Sequence, residues 1–336
     1  KSNRAVAVSS CTAGLHLAYF SLGIGRGDEV IVPAMSHVAT AHSIEYVGAK
    51  PIFVDAESKT GNIDIDQIEQ VITKNTKAIS IVHYLGMPVD MDRLNDIAWK
   101  YNLYVIEDSA LAVGSYYKGV HAGLLGDIGC FSFYPVKHMT TLEGGIVLAK
   151  DDDLLKKISM ERAFGVDRTH SERKVPGKYD VNLLGFNYRM NELQAAIGIE
   201  QVKRLDSFLQ IREKNYQKLT SSLQEIDEID LLKSSYGDFQ SSYYCHCAIL
   251  KGSIKNKRIE IIEGLKQCGV GTSIYYPKPI PHLTYYMDKY GDRTKVFPKA
   301  SRLAYESIAL PVGPHLNEED MMYIGEKLKK VIQEVM

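Results

Sequence analysis

The chain has 336 residues, 45% hydrophobic and 24% charged, and its 40 Lys and Arg face 41 Asp and Glu for a formal net charge of −1. That balance leaves no global positive field to recruit nucleic acid or an anionic membrane, and it describes a folded globular protein of about two domains rather than a disordered or fibrous chain. No window approaches the ~18 consecutive apolar residues of a membrane-spanning helix, since the most apolar stretch, Val30 to Ile44, is interrupted by Pro33, Ser36, His37 and Thr40.

The opening KSNRAVAVSS has no secretory pattern, and five cysteines make a poor disulfide framework, so a reducing cytoplasm is expected. From Ser9 to Gly23, Ser10 or Thr12 can cap a helix carrying Leu15, Leu17 and Phe20. Backbone amides at such a terminus attract phosphate, although most Ser/Thr caps bind no anion. The GIGRG run from Gly23 to Gly27 follows this helix and precedes a strand, the reverse of the order a dinucleotide fingerprint needs. A Rossmann NAD site is therefore rejected.

Strand-like runs begin at Glu29 (EVIVP), Lys50 (KPIFVD), Ala78 (AISIVH), Leu103 (LYVIED), Asp127 (DIGCFSF) and Gly144 (GGIVLAK), each bounded by Gly, Pro, Asp or Lys. Amphipathic segments at Asp64–Ile72 and Met91–Tyr101 separate several of them. The βαβα alternation predicts an α/β fold with a mostly parallel sheet covered on both faces. From Met190 to about Leu223 a long helical pattern follows, able to bridge two lobes. YYCHCAIL from Tyr243, a helix near Ile259 to Cys268, GTSIYYP from Gly271 and a last helix from Asn317 to Val335 then read as a smaller α+β unit. The expected division is 1–203 and 204–336.

Lys137 lies in FSFYPVKHMTTLEGG, a loop between two apolar strands. Desolvation would bring its pKa toward neutrality, as an amine that forms a Schiff base requires. On spacing alone a solvated loop lysine is the commoner outcome. Asp108 ends the strand LYVIED, where ligands of parallel sheets bind and where ordinary capping aspartates also gather. Paired with Lys137 it suits a carboxylate that keeps a pyridine nitrogen protonated. His37 could stack on a flat cofactor or simply cap a helix. Cys245 and Cys247 would share one strand face and lack the second ligand pair of a zinc site, so they read as core and no metal is expected.

Taken together, SSCTAGLHLA, GDEVIVPAMSHVATAHSIEYVGAKPIFVD, VIEDSALAVGSYYKG, GDIGCFSFYPVKHMTTLEGG, GFNYRMNELQAAIG and GTSIYYPKP resemble the DegT/DnrJ/EryC1/StrS family. The resemblance runs from about Ala5 to the C-terminus. It implies a fold type I (aspartate aminotransferase-like) transferase using pyridoxal phosphate (PLP) and its amine form (PMP), which moves an amino group from an amino acid, by analogy glutamate, to a nucleotide-linked keto sugar. Lys137 corresponds to the Schiff-base lysine and Asp108 to the partner of the pyridine nitrogen. Ser132, and Thr12 with the Ala13 amide, correspond to phosphate contacts, and His37 to the ring that stacks on PLP. Asn187 matches a phosphate contact supplied across a homodimer. Tyr275, Tyr276 and His282 are pocket candidates, although the rings could equally pack the small domain.

The family includes dehydratases with histidine in place of the lysine; Pro135-Val136-Lys137-His138 keeps lysine in that slot and histidine one place later, which favours transamination. A non-catalytic PLP or nucleotide-sugar-binding regulatory subunit is the rival of a different class. Departures from the family pattern are DSALAVG, which puts Leu111 and Val113 where polar groups often stand, and LEGG, with Leu142 for a glycine. Members usually begin with an N-terminal arm, whereas the given sequence is expected to start inside the fold at Lys1. Specificity for nucleotide and sugar is expected from such loops, including Val166 to Lys178.

Overall fold

A computed structural model describes residues 5–167, 175–291 and 296–336. Its first part runs β1 (Val6–Val8), α1 (Cys11–Ser21), β2 (Glu29–Pro33), α2 (Val38–Tyr46), β3 (Lys50–Val54), α3 (Ile68–Val71), β4 (Thr76–Val82), α4 (Met91–Tyr101) and β5 (Tyr104–Asp108). The short β6 (Tyr116–Tyr117) and β7 (Val120–His121), then β8 (Ile128–Ser132), β9 (Gly145–Ala149) and α5 (Asp152–Glu161) follow. Seven of these strands form a sheet ordered β1-β9-β8-β5-β4-β2-β3, and β6 and β7 lie outside it. Neighbours from β3 to β8 are parallel, and β9 and β1 join antiparallel at one edge.

The expected strands lie within a residue or two of their sequence positions because each is a bounded apolar run; the central β2, β4, β5 and β8 are almost wholly buried, whereas β3 and β9 are partly open. The segment expected as one helix at Asp64–Ile72 is instead a 3₁₀ turn, Ile65–Gln67, running into the four-residue α3. β1, three residues long, carries no periodicity and escaped prediction. Its pairing of Val8 with Gly145 sets the start of α1 beside β9. A side chain at Gly145 would sit 2.8 Å from the Cys11 amide and 2.6 Å from the Phe131 carbonyl, so only glycine permits this approach.

The second part comprises α6 (Glu192–Leu223), β10 (Ile229–Leu231), β11 (Phe239–Gln240), β12 (His246–Leu250), α7 (Arg258–Gln267), α8 (Thr284–Tyr290), α9 (Pro298–Glu306), β13 (Ser307–Leu310) and α10 (Glu318–Val335). α6 opens with a capping box of Asn191 and Gln194 and runs unbroken past residue 204. β10, β12 and β13 form an antiparallel sheet whose core joins Leu219 and Leu223 of α6 to Leu328 and Val331 of α10. In β12 the period of two puts buried Cys247 on one face with Cys245 just before it, and His246, stacked on Tyr216, on the other. Among the described residues no helix is long and apolar enough to cross a membrane.

Candidate active site

The parallel strands bring their C-terminal ends to one edge of the sheet, and two consecutive carboxylates stand there on β5. Asp108 is buried, and its Oδ2 accepts from Thr40 Oγ1 at 2.7 Å. Ser36 Oγ lies 2.6 Å from Thr40 Oγ1; since a carboxylate only accepts, the chain of donors runs Ser36 to Thr40 to Asp108. Asp108 Oδ1 accepts from the Ala110 amide at 3.2 Å and lies 3.9 Å from Cys11 Sγ. Glu107 faces the other side. It accepts from His83 Nε2 at 2.8 Å and from the amides of Gly123, Leu125 and Gly126 at 2.7, 2.8 and 2.5 Å. His83 Nδ1 accepts from the Val89 amide, so Nε2 carries the proton. Burial alone would raise the Glu107 pKa, but His83 and the Gly126 and Gly123 amides outweigh it and hold the group below the usual carboxylate range.

Lys137 sits on the loop from β8 to β9, closed by the Phe133 amide on the Gly144 carbonyl, the Thr141 amide on the Phe133 carbonyl and the Lys137 amide on the Tyr134 carbonyl, each at 2.9 Å. Its amine lies 5.5 Å from the centre of the Tyr244 ring. Burial pushes the ammonium pKa below that of an ordinary lysine, and the negative charge of Asp108 only partly opposes it. The acid thus lies within electrostatic reach of the amine, although they lie in different motifs. His138 takes another direction: it is buried, its Nε2 meets the Ser242 carbonyl at 2.9 Å, and burial, with Arg212 and Lys137 nearby, keeps it neutral.

For His37 the structure shows the helix-cap reading. It caps α2 through Nδ1, which accepts from the Ala39 amide at 3.2 Å, and its ring meets Tyr276 edge-on at 5.6 Å. Burial lowers its pKa more than Asp108 raises it, leaving a neutral ring. Tyr276 joins the same group, its phenol pushed up by burial and then by Asp108. Tyr275 bonds the Tyr244 hydroxyl at 3.2 Å, and its carbonyl accepts from Tyr84. Ser10, rather than Thr12, is the α1 cap: its Oγ accepts from the Ala13 amide at 3.1 Å, with Thr12 partly exposed at the helix start. Ser132 is buried at the end of β8.

The geometry does not gather every candidate. The ring contact of His282 is Phe297, 6.1 Å away, and Asn187 is exposed, bridging Ala163. Residues 168–174 of the Val166–Lys178 loop lie outside the described residues. Leu111 and Val113 are buried in two different apolar clusters, so packing occupies them. Thr40, Ser36 and Tyr244 were missed. Ser36 and Thr40 stand four residues apart, a spacing that puts two hydroxyls on one side of a helix start and could have signalled them.

A desolvated amine within electrostatic reach of a buried carboxylate at the strand ends of this sheet, beside a helix N-terminus with hydroxyls, is the donor set that a pyridoxal-phosphate enzyme of the aminotransferase kind calls for. The chain belongs to the DegT/DnrJ/EryC1/StrS aminotransferase family, whose model matches residues 1–329. It is 34% identical over 336 residues to GDP-perosamine synthase of Caulobacter vibrioides, covering 98% of this chain and 85% of that one. It is 32% identical over 344 residues to the UDP-4-amino-4-deoxy-L-arabinose–oxoglutarate aminotransferase of Shewanella sediminis, covering 98% and 87%. Among solved structures it resembles the PMP form of Spr1654 from Streptococcus pneumoniae, with a TM-score of 0.93 and 31% identity, covering 99% and 88%. The protein is a sugar aminotransferase and pyridoxal phosphate is its cofactor. The donor set fits that group: an amine for its aldehyde, a buried acid for its ring nitrogen, and hydroxyls with a helix N-terminus for its phosphate.

Proposed function

We propose that the enzyme transfers the amino group of an amino acid, L-glutamate, to a nucleotide-linked keto sugar, working in the cytoplasm as a homodimer with shared active sites. Residues 1–203 hold the cofactor and 204–336 form the smaller unit. The observation that carries this reading is the desolvated Lys137 amine coupled to the buried Asp108, while His138 turns to the Ser242 carbonyl. That division of neighbours favours transamination over the dehydratase reading, which needs histidine in the place of the amine.

Bound pyridoxal phosphate supplies an aldehyde that takes up nitrogen and a ring that accepts the electron pair freed when the donor Cα–H bond breaks. Lys137 Nζ would hold the aldehyde end of the cofactor and, freed by the donor amine, would accept the proton from the donor Cα and deliver it to the former aldehyde carbon. Asp108, oriented by Thr40, keeps the ring nitrogen protonated. His37 packs on the ring, Thr12 and Ser132 hold the phosphate together with the Ala13 amide, which the Ser10 hydroxyl must then share or release, and Asn187 reaches the phosphate of the second subunit. Tyr276, which adjoins His37, and its neighbour Tyr275 take the sugar side, and His282, set apart against Phe297, takes no part. An apolar surface supports the dimer: Leu184 and Leu193 are 73% and 79% exposed, with Phe164 and Ile197 also open.

Borohydride treatment of the PLP-loaded enzyme should fix the cofactor to Lys137, and glutamate should convert the PLP spectrum to that of PMP before borohydride is added. Attachment elsewhere, or oxygen loss from a sugar with PMP retained, overturns the reading.

A further inference from the structure

Arg212 of α6 is only 8% exposed, yet among the described residues no carboxylate pairs with it. Its Nη1 donates to the carbonyls of Tyr244 at 2.9 Å and Tyr243 at 3.4 Å, and its buried Nε has no partner. An isolated buried cation is costly, and an unmatched N–H adds to that cost unless a ligand completes the set. Arg212 lines a cleft of about 570 Å³ whose walls include Val136, Tyr244, Thr272, Ser273 and Tyr275. The cleft adjoins the reactive amine. Val136 precedes Lys137 in the chain, and Tyr244 presents its ring to the Lys137 amine and its carbonyl to Arg212.

We propose that Arg212 holds a carboxylate of the amino donor. The inference rests on the aminotransferase reading above and deepens it on the donor side. Charge limits the ligand: besides Arg212 the cleft is lined by His315 and by one carboxylate, Asp320, which accepts from the Asn317 amide at 2.8 Å, so the lining carries little net positive charge. A single carboxylate asks the least of such a lining and can take its direct contact from the guanidinium, whereas a diphosphate brings at least two further negative charges. The planar fork suits a carboxylate, and the hydroxyls of Thr272, Ser273 and Tyr275 in the lining are the right chemistry for its remaining lone pairs.

The test compares wild type, Arg212→Met and Arg212→Lys, each loaded with PLP, by following conversion to the PMP spectrum against glutamate concentration. Losing one partner of a buried charge pair predicts a rise of at least ~30-fold in half-saturating glutamate for Arg212→Met, with the limiting rate within ~3-fold of wild type. Arg212→Lys should fall between. Glutarate should compete with glutamate and raise the melting temperature of wild type but not of Arg212→Met; neutral glutaramide and inorganic pyrophosphate should do neither.

An unchanged glutamate dependence overturns the inference, as does a fall in limiting rate and stability with no change in glutarate protection, which marks a purely structural arginine. Stronger protection by pyrophosphate than by glutarate overturns it in favour of a phosphate site. If Arg212→Met does not fold, Arg212→Lys and the glutarate melting of wild type decide. If wild type converts with no amino acid, the aminotransferase reading has failed, and the absence of glutarate protection is the separate result that removes Arg212 as an anion site.

Discussion

On one face of the sheet edge Glu107 is enclosed by four donors, three backbone amides of the 123–126 turn and His83. On the other face Asp108, its neighbour and nearly as buried, keeps one hydroxyl, one amide and a long contact from the Cys11 thiol, and shares its surroundings with a lysine amine. Both carboxylates come from the same strand and the same alternation of side chains. The difference lies in how fully each is satisfied. A carboxylate with every lone pair occupied fixes a turn, whereas one with capacity left inside a pocket can act on a second molecule.

Substitution should break this comparison in two separable ways. Asp108→Asn keeps the bond from Thr40 but removes the charge, and transamination should fall by on the order of 10²–10³-fold, the range for losing one preorganised electrostatic partner. Thermal unfolding should stay near that of wild type. If activity persists, the chemistry does not depend on this face. Glu107→Leu should do the reverse. It strands His83 and three amides and should cost about 3–5 kcal/mol in denaturant unfolding, while activity per folded molecule survives. A variant as stable as wild type would mean that the turn does not need its anchor.

Acid sharpens the same contrast. The folded pKa of Glu107 is depressed, so the unfolded chain binds this proton first. Its stabilisation is complete above the ordinary glutamate pKa of ~4.3 and drains away as pH falls through the lower folded value. Equilibrium unfolding of wild type should steepen below that pH, and the Glu107→Leu curve should be flatter there. Parallel curves would assign the acid sensitivity to other groups.

Much of this edge was legible in the chain. The strands showed as bounded apolar runs, and Asp108 and Lys137 as chemistry-bearing residues at their ends. Period-two alternation would also have sent Glu107 to the opposite face, but nothing local announces that His83, 24 positions earlier, waits there. Arg212 was invisible for a related reason. A cation on a long helix rich in Lys and Arg reads as solvated surface, and its burial appears only when the 243–244 backbone folds over it. Charges whose partners are remote backbone groups leave no spacing to read.

The smallest effect is expected on the loop that carries Lys137. Leu142 has φ +69° and is 63% exposed, so it sits in the left-handed region with little packing to compensate. A left-handed L-residue costs about 1–2 kcal/mol, and glycine removes that cost while adding about 0.5–1 kcal/mol of unfolded-chain entropy. Leu142→Gly should therefore stabilise the protein by about 0.5 kcal/mol and leave glutamate-driven PMP formation unchanged. The leucine would then be a tolerated strain five residues from the amine, borne by the same loop bonds that hold Lys137 in place. A loss of stability would show instead that the exposed leucine is covered, and the apolar surface near Leu184 and Leu193 makes a second copy of the chain the partner to look for in sedimentation of the variant.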